Sequence, residues 1–296
     1  MDIRQIDIFF DYKPVFDQNP QFIVDNIIFT AKKYLSEDKI KLIQKAYEFA
    51  RDAHQWQIRL SWEPYIIHPL RATEFLMEIK PDLESIQSCI LHDVVEDTPI
   101  TYEQIKNEFW HEVADICEWL VKVSKIKYKW EDRQLETLKK TFLAMAKDLR
   151  VIFIKLADRI HNVQTLQYHP NPEKRIKIAE ETLKIFVPVA KRLGLYYYQL
   201  YLENWSFRAL NPNEFDRILN YLKKYFWDWE KYTEKWVKML TNMLTKEWIT
   251  DFEIKWRIKS PYRVYEKLQK KYNTSDLSSV MDFIACLLYT SPSPRD

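Results

Sequence analysis

Apolar residues recur every three or four positions along most of the chain, which is the spacing of helices that bury one face. The segment 36–54 shows the pattern most clearly, with an apolar stripe made of Ile40, Ile43, Ala46, Tyr47 and Ala50. Ser36 stands just before this stripe and has a side chain suited to capping a helix. The segment is therefore predicted to be a helix that packs against a core.

The same periodicity predicts further helices at 68–79, 82–94, 112–126, 131–148, 150–166, 173–193, 196–208 and 213–246. Pro81 separates the first two of these and stands where a helix can start. Thr98 or Thr101 is the expected cap of another helix that begins within 98–105. Most of the chain is thus predicted to be helical.

The pattern changes near residue 249. The segment 249–258 is predicted to form a short strand, and 259–273 is predicted to form a helix. This change predicts the start of a second, different domain.

Composition excludes several classes of protein. The 296 residues are 47% apolar and 30% charged, and the formal net charge of +2 indicates no nucleic-acid partner. The three cysteines lie far apart, which argues against disulfides and zinc knuckles and favours a cytoplasmic location. The N-terminal segment lacks the features of a signal peptide, and no apolar run approaches the roughly 20 residues that span a bilayer. No membrane partner is therefore expected.

Three motifs carry residues typical of a metal site: His68 in EPYIIHP, His92 and Asp93 in ILHDVVEDT, and Asp158 in KLADRIHNVQTL. Two imidazoles and two carboxylates form a mixed donor set that suits a divalent ion such as manganese. Such a set leaves positions for water and for a phosphate oxygen. The His-Asp doublet alone is weak evidence, but the three motifs together predict a phosphohydrolase centre.

Two carboxylates are expected beside these ligands. Glu96 follows His92 by four residues, and Asp97 follows Asp93 by four, so both should project over the same helical face. We expect them to accept a proton from the attacking water without binding the metal.

The third motif also presents polar groups on one helical face. Asp158, Asn162 and Thr165 are spaced i, i+4 and i+7, so a ligand and two hydrogen-bonding groups should face a nucleotide together. His161 in the same motif either supports the ligands or simply packs. The other histidines are expected at the surface or at helix caps: His54, His111 and His169.

In this order and spacing, the three motifs resemble the hydrolase domain of the RelA/SpoT homologue family. The segment VPVAKRLGLYYYQLYLENWSFRALNP resembles the stretch that follows that domain, and the resemblance covers roughly residues 30–285. It implies hydrolysis of the 3′-pyrophosphate of the alarmones ppGpp and pppGpp, which gives GDP or GTP and pyrophosphate.

The resemblance also implies a role for each candidate residue. It assigns them to three sets, the manganese ligands His68, His92, Asp93 and Asp158, the water-activating residues Glu96 and Asp97, and the nucleotide contacts Arg59, Asn162 and Thr165. A guanidinium at position 59 also suits a polyphosphate on chemical grounds.

The expected fold is mainly α, in four parts: an N-terminal extension (1–29), an all-helical HD hydrolase domain (30–200), a helical connector (201–248) and an incomplete α/β nucleotidyltransferase start (249–296). Four residues match the opening of the family's synthetase domain: Arg257, Lys259, Tyr262 and Tyr265. Asp282 is kept, but the arginine expected near Leu287 is missing. We therefore expect a truncation or assembly artefact from about Cys286, a non-native tail SPSPRD, and no synthetase activity.

The sequence departs from the family next to Arg59 and in its glycine content. Leu60 stands where a second basic residue is expected after Arg59, which would weaken phosphate binding. The chain has one glycine, Gly194, and 11 tryptophans, whereas an average chain contains about 7% glycine.

Tryptophan stands at six positions where the family has glycine: Trp56, Trp62, Trp110, Trp119, Trp248 and Trp256. Some bacterial lineages translate the UGA codon as glycine, and a common alternative code translates it as tryptophan. We hypothesise that several of these residues are glycines in the native protein. Trp62 is expected to crowd the approach to Arg59 and His68.

Two other functions stay open at this point. One is an HD phosphohydrolase that acts on a different nucleotide. The other is a regulatory fragment that binds the alarmone without cutting it, although the intact ligand set argues against this.

Overall fold

The computed structural model describes residues 19–124, 148–226, 229–249, 251–280 and 282–290. The predicted helix 131–148 therefore lies almost entirely outside the described residues. The chain divides into two compact units between Ala209 and Leu210, a point inside the predicted connector. None of the helices in the described ranges has the length and apolarity to cross a bilayer.

Helices make up the first unit: α1 Pro20–Ala31, α2 Glu37–Ala53, α3 Ile67–Leu76, α4 Leu83–Leu91, α5 Val94–Asp97, α6 Tyr102–Ser124, α7 Leu149–Gln164, α8 Pro172–Glu181, α9 Val187–Arg192 and α10 Tyr196–Leu210. Short 3-10 turns follow α3 and α7, and a π-helical turn joins α8 to α9. The predicted mainly α fold is confirmed.

The core of this unit forms where apolar helix faces meet. The predicted stripe of α2 is buried along its whole length, from Ile40 to Ala50. Helix α1 was not among the predicted helices, and its Ile23, Val24 and Ile27 are buried in the same core. Apolar periodicity thus identified the buried face of α2 correctly.

Helix starts agree only in part with the expected caps. Thr101 caps α6 in a reciprocal pair, because its backbone N–H donates to Gln104 Oε1 at 2.8 Å and its hydroxyl accepts from Gln104 N. The cap of α4 is Asp82, which accepts from Ser85 N at 2.9 Å. Pro81 precedes that cap and lies two residues before Leu83, the first residue of α4, so its expected place at the start of the helix is wrong.

The site depends on α3, α4 and α7, which pack against one another. The segment predicted at 150–166 is helical from Leu149 to Gln164, although its apolar start could also suit a strand. The three motifs lie on these helices or at their ends.

The second unit contains α11 Pro212–Phe226, α12 Trp229–Lys246, β1 Phe252–Ile258, α13 Pro261–Lys267 and β2 Ile284–Thr290. The strands are antiparallel, with Phe252 opposite Thr290 and Ile258 opposite Ile284. The predicted strand and the helix that follows it are both present. The four domain boundaries stay predictions.

Candidate metal centre and pocket

Three separate segments deliver the four predicted ligands. His68 is the second residue of α3, His92 and Asp93 follow α4 directly, and Asp158 lies within α7. Because α3 contacts both α4 and α7, side chains that are far apart in sequence face one another.

Three of the four predicted ligands, His68, His92 and Asp158, offer donor atoms that lie within 4.8 Å of one another, and Asp93 lies beside both histidines. His68 Nε2 lies 3.1 Å from Asp158 Oδ1 and 3.5 Å from Asp93 Oδ2. His92 Nε2 lies 3.2 Å from Asp93 Oδ1 and 3.8 Å from Asp158 Oδ1. Donor atoms at roughly 2.1 Å from one ion lie about 3 Å apart at adjacent positions. The geometry therefore suits one shared cation.

The charges around the ligands also favour a cation. Burial lowers the pKa of His68 to about 4, and Arg59 adds to this effect. Burial acts in the same direction on His92, but Asp93 and Asp158 outweigh it and raise the pKa of His92 to about 9. The two carboxylates thus attract positive charge to the space between the imidazoles.

One ligand nitrogen needs a partner. His92 Nδ1 is 2.7 Å from the carbonyl oxygen of Cys89 and donates to it, so Nε2 is the atom that faces the site. This Nε2 is buried and has no hydrogen-bond partner in the part of the chain that the structure describes. Buried polar atoms are nearly always satisfied, and a metal ion bound by this nitrogen would supply the missing partner. The donor set fits a divalent metal.

Asp158 is oriented from two sides. Lys155 Nζ lies 2.7 Å from its Oδ2, and Asn162 Nδ2 donates to its Oδ1. Burial would raise the pKa of Asp158, but Lys155 and the two ligand histidines hold it well below its usual range. Lys155 was not among the predicted site residues, although its position three residues before Asp158 on a helix was a usable signal.

A cavity of about 590 Å³ opens onto this centre. Every predicted site residue except His92 lines it. Ligand pockets commonly have volumes of about 300–1,000 Å³, so the cavity is large enough for a nucleotide. The structure therefore brings together the predicted ligands, carboxylates and nucleotide contacts.

Arg59 is held over the pocket by a tight hairpin. Its backbone N–H donates to Glu63 O at 3.0 Å, and Trp62 N donates to Arg59 O at 2.9 Å. Its Nη2 donates to Asn162 Oδ1 at 3.2 Å and to Thr165 Oγ1 at 3.4 Å. The three predicted nucleotide contacts therefore lie together.

Two residues of the same hairpin were expected to weaken the site. Leu60 lines the pocket and is exposed, so an apolar side chain stands where a basic one was expected. Trp62 is 87% exposed and lies outside the pocket lining. The expectation that Trp62 crowds Arg59 and His68 is therefore wrong, because the side chain is exposed to solvent and does not line the pocket.

Tyr65 joins the metal ligands to the catalytic candidates. Its hydroxyl lies 3.0 Å from Asp93 Oδ2 and 2.6 Å from Asp97 Oδ2. Burial and the two carboxylates raise the pKa of Tyr65, so it keeps its proton and donates to one of them at a time. Tyr65 lies in the first motif, but only the tertiary fold shows this role. Glu96 lines the same pocket.

The remaining histidines follow the expectation in part. His111 is exposed, and His169 Nδ1 accepts from Asn171 N at 3.1 Å near the start of α8. His54 stands at the C-terminal cap of α2 but is buried and stacked on Tyr65. His54 is therefore a capping residue, which is one of the two expected positions, and its side chain is buried.

These features define an HD-type hydrolase fold with a candidate metal centre. A family model described as an HD domain matches residues 46–196, and the chain belongs to this family.

Comparison with curated relatives narrows the family further. The chain is 43% identical over 229 residues to a guanosine-3′,5′-bis(diphosphate) 3′-pyrophosphohydrolase of Aquifex aeolicus, covering 77% of this chain and 32% of the relative. It is 39% identical over 253 residues to the bifunctional (p)ppGpp synthase/hydrolase SpoT of Escherichia coli, covering 85% and 36%. It is 37% identical over 269 residues to a GTP pyrophosphokinase of Myxococcus xanthus, covering 90% and 35%.

The resemblance to the RelA/SpoT homologues is thereby confirmed. The chain spans about a third of the length of these curated relatives.

Proposed function

We propose that this chain is a manganese-dependent pyrophosphohydrolase that removes the 3′-diphosphate of ppGpp and pppGpp in the cytoplasm. The observation that carries the proposal is the convergence of His68, His92, Asp93 and Asp158 beside a nucleotide-sized pocket. Relatives named for this activity share the sequence at 39–43% identity.

The four converging side chains would hold the ion through two nitrogens and two carboxylates. A bound divalent ion would lower the pKa of a water molecule and offset the negative charge of the substrate phosphate. Manganese suits such a donor set. Lys155 and Asn162 would keep Asp158 in its orientation.

The reaction needs a proton acceptor for water. The water oxygen forms a bond to the phosphorus attached to the 3′ oxygen, and the bond from that phosphorus to the 3′ oxygen breaks. Glu96 or Asp97 takes a proton from the water, and the carboxyl group so formed gives a proton to the leaving 3′ oxygen. Tyr65 holds the Asp97 carboxylate toward the centre. The products are GDP or GTP and pyrophosphate.

Arg59, Asn162 and Thr165 would contact the nucleotide. The guanidinium of Arg59 can bind phosphate oxygens in a forked geometry. It is already held in the pocket by the other two residues, so little side-chain entropy is lost on binding.

The test is pyrophosphate release from ppGpp with and without manganese. We expect release that requires the ion and falls at least about 1,000-fold in Asp93→Ala. The matched control is Asp38→Ala, whose side chain is 95% exposed and should leave release unchanged. Release by Asp93→Ala at the wild-type rate would rule out the proposed centre.

The same assay separates the two alternatives. Faster turnover of dGTP or a cyclic dinucleotide than of ppGpp would indicate a different HD nucleotide phosphohydrolase. Tight manganese and ppGpp binding without turnover would indicate a regulatory fragment.

A further inference from the structure

The two ligand imidazoles are each held at Nδ1, but by different partners. His92 Nδ1 lies 2.7 Å from Cys89 O. A carbonyl oxygen can only accept, so His92 carries hydrogen on Nδ1 and directs Nε2 at the site. His68 Nδ1 instead lies 2.8 Å from the Nδ1 of His161.

A contact between two imidazole nitrogens contains one hydrogen, and either ring can donate it. If His161 donates, a neutral His68 carries its own hydrogen on Nε2, which faces Asp158 Oδ1 at 3.1 Å. That tautomer has no lone pair for an ion. If His68 donates, its Nε2 lone pair faces Asp93 and Asp158. Only the second arrangement allows His68 to be a ligand.

We propose that His161 is a positioning residue that accepts the Nδ1–H of His68 and so holds His68 in the tautomer able to bind the metal ion. The inference rests on the proposed metal site and adds to it a residue that does not itself touch the ion.

The placement of His161 supports this role. It lies on α7 three residues after Asp158, and its side chain is buried. The ring centroids of His161 and His68 are 5.0 Å apart, with planes tilted by 33°. One helix thus supplies a ligand and also the acceptor that orients a second ligand from α3. Hydrogen bonds of this kind typically change metal affinity about 10–100-fold.

The experiment compares two replacements of His161 in the full chain. His161→Asn keeps an acceptor oxygen near the position of Nδ1, whereas His161→Phe fills similar space without an acceptor. The control is His111→Phe, because His111 is exposed on α6. Manganese affinity is measured by titration calorimetry, and the melting temperature of each metal-free protein is recorded.

We expect about 10–100-fold weaker manganese binding in His161→Phe, near wild-type binding in His161→Asn, and no change in the control. Wild-type affinity in a folded His161→Phe protein would overturn the inference and leave the metal site intact. Equal losses in folded Phe and Asn variants would overturn it too, since packing would then explain both.

A second measurement needs no variant. Two-bond proton–nitrogen spectra of the zinc-loaded wild type identify which nitrogen of His68 carries hydrogen. Hydrogen on Nδ1 is expected, and hydrogen on Nε2 would refute the proposal. If the wild type binds neither zinc nor manganese, the metal site itself fails and the inference fails with it.

Discussion

Helices α9 and α12 end in the same hydrogen-bonded turn, but the residue at its left-handed position is Gly194 in one and Trp248 in the other. Their φ angles are +70° and +62°. In both turns the next residue donates to a carbonyl five positions back, Leu195 N to Ala190 O at 2.9 Å and Ile249 N to Leu244 O at 3.0 Å. This is the turn that normally selects glycine. The comparison isolates the effect of the side chain.

Glycine and tryptophan differ greatly in energy at such a position. A side chain in the left-handed region costs roughly 1–2 kcal/mol because Cβ approaches the following carbonyl. A Cβ added at Gly194 would meet no atom within 4 Å, so only the backbone conformation matters there. Trp248 is 91% exposed and gains no burial to offset the strain.

Three other tryptophans also combine a positive φ angle with an exposed side chain. Trp56 after α2 and Trp62 in the hairpin have φ of 71° and 68°. Trp62 follows a turn closed by its own N–H, which is where a glycine bulge normally stands. Trp110 interrupts α6 at φ 77° and ψ 159°, a region that essentially only glycine enters. All three side chains are exposed.

These angles support the hypothesis that the native protein has glycine at Trp56, Trp62, Trp110 and Trp248. The angles give no such support at the other two of the six tryptophans. Trp119 lies within helical α6 with Lys122 over its ring, and the side chain of Trp256 is outside the described part. Mass spectrometry of the native protein showing tryptophan at position 62 would contradict the hypothesis there.

The largest change in stability is expected at a tryptophan that is buried in a helix and not exposed. Trp205 lies within α10 and is 5% exposed. Replacement by alanine removes buried surface and leaves a cavity, so Trp205→Ala should lower the free energy of unfolding by about 3–5 kcal/mol. Denaturant titration checks this. A change below about 1 kcal/mol would mean that the buried and the strained tryptophans do not differ as argued.

The combined replacement Trp56→Gly, Trp62→Gly and Trp110→Gly should instead raise the free energy of unfolding. Relief of left-handed strain is partly offset by the greater freedom of glycine in the unfolded chain. The net gain should be about 1 kcal/mol per site and about 3 kcal/mol together, measured by denaturant titration.

Trp119→Gly provides the matched control for this gain. Glycine inside a helix costs about 1 kcal/mol, so this variant should lose stability. If all four replacements destabilised the protein, left-handed strain would not be the distinguishing factor.

Most of the site could be predicted from the sequence, because its ligands lie in three motifs with helical spacing. Lys155 was predictable from its place three residues before Asp158, whereas Tyr65 and the role of His161 were not. The contact of His161 with His68 exists only because α3 packs on α7, and periodicity within one helix carries no information about which residues face each other across two.

The hairpin that contains Arg59 and Trp62 shows a second limit of prediction from the sequence. Motif spacing placed Trp62 next to Arg59 and suggested a steric conflict, yet its side chain points to solvent. The direction of a side chain depends on the backbone conformation around it, which spacing along an irregular hairpin does not reveal. The unusual glycine content was visible in the sequence, but the four positions that strain the backbone were distinguishable from Trp119 only through their dihedral angles.

The smallest expected effect concerns the two turns that follow α9 and α12. Trp248→Gly should stabilise its turn by about 1 kcal/mol, and Gly194→Ala should destabilise its own turn by a similar amount. Hydrogen exchange reports each turn separately: the Ile249 amide should exchange about fivefold more slowly in the first variant and the Leu195 amide about fivefold faster in the second. Because the hydrogen bonds of the two turns match, shifts of the same sign would show that the side chain is not what separates them.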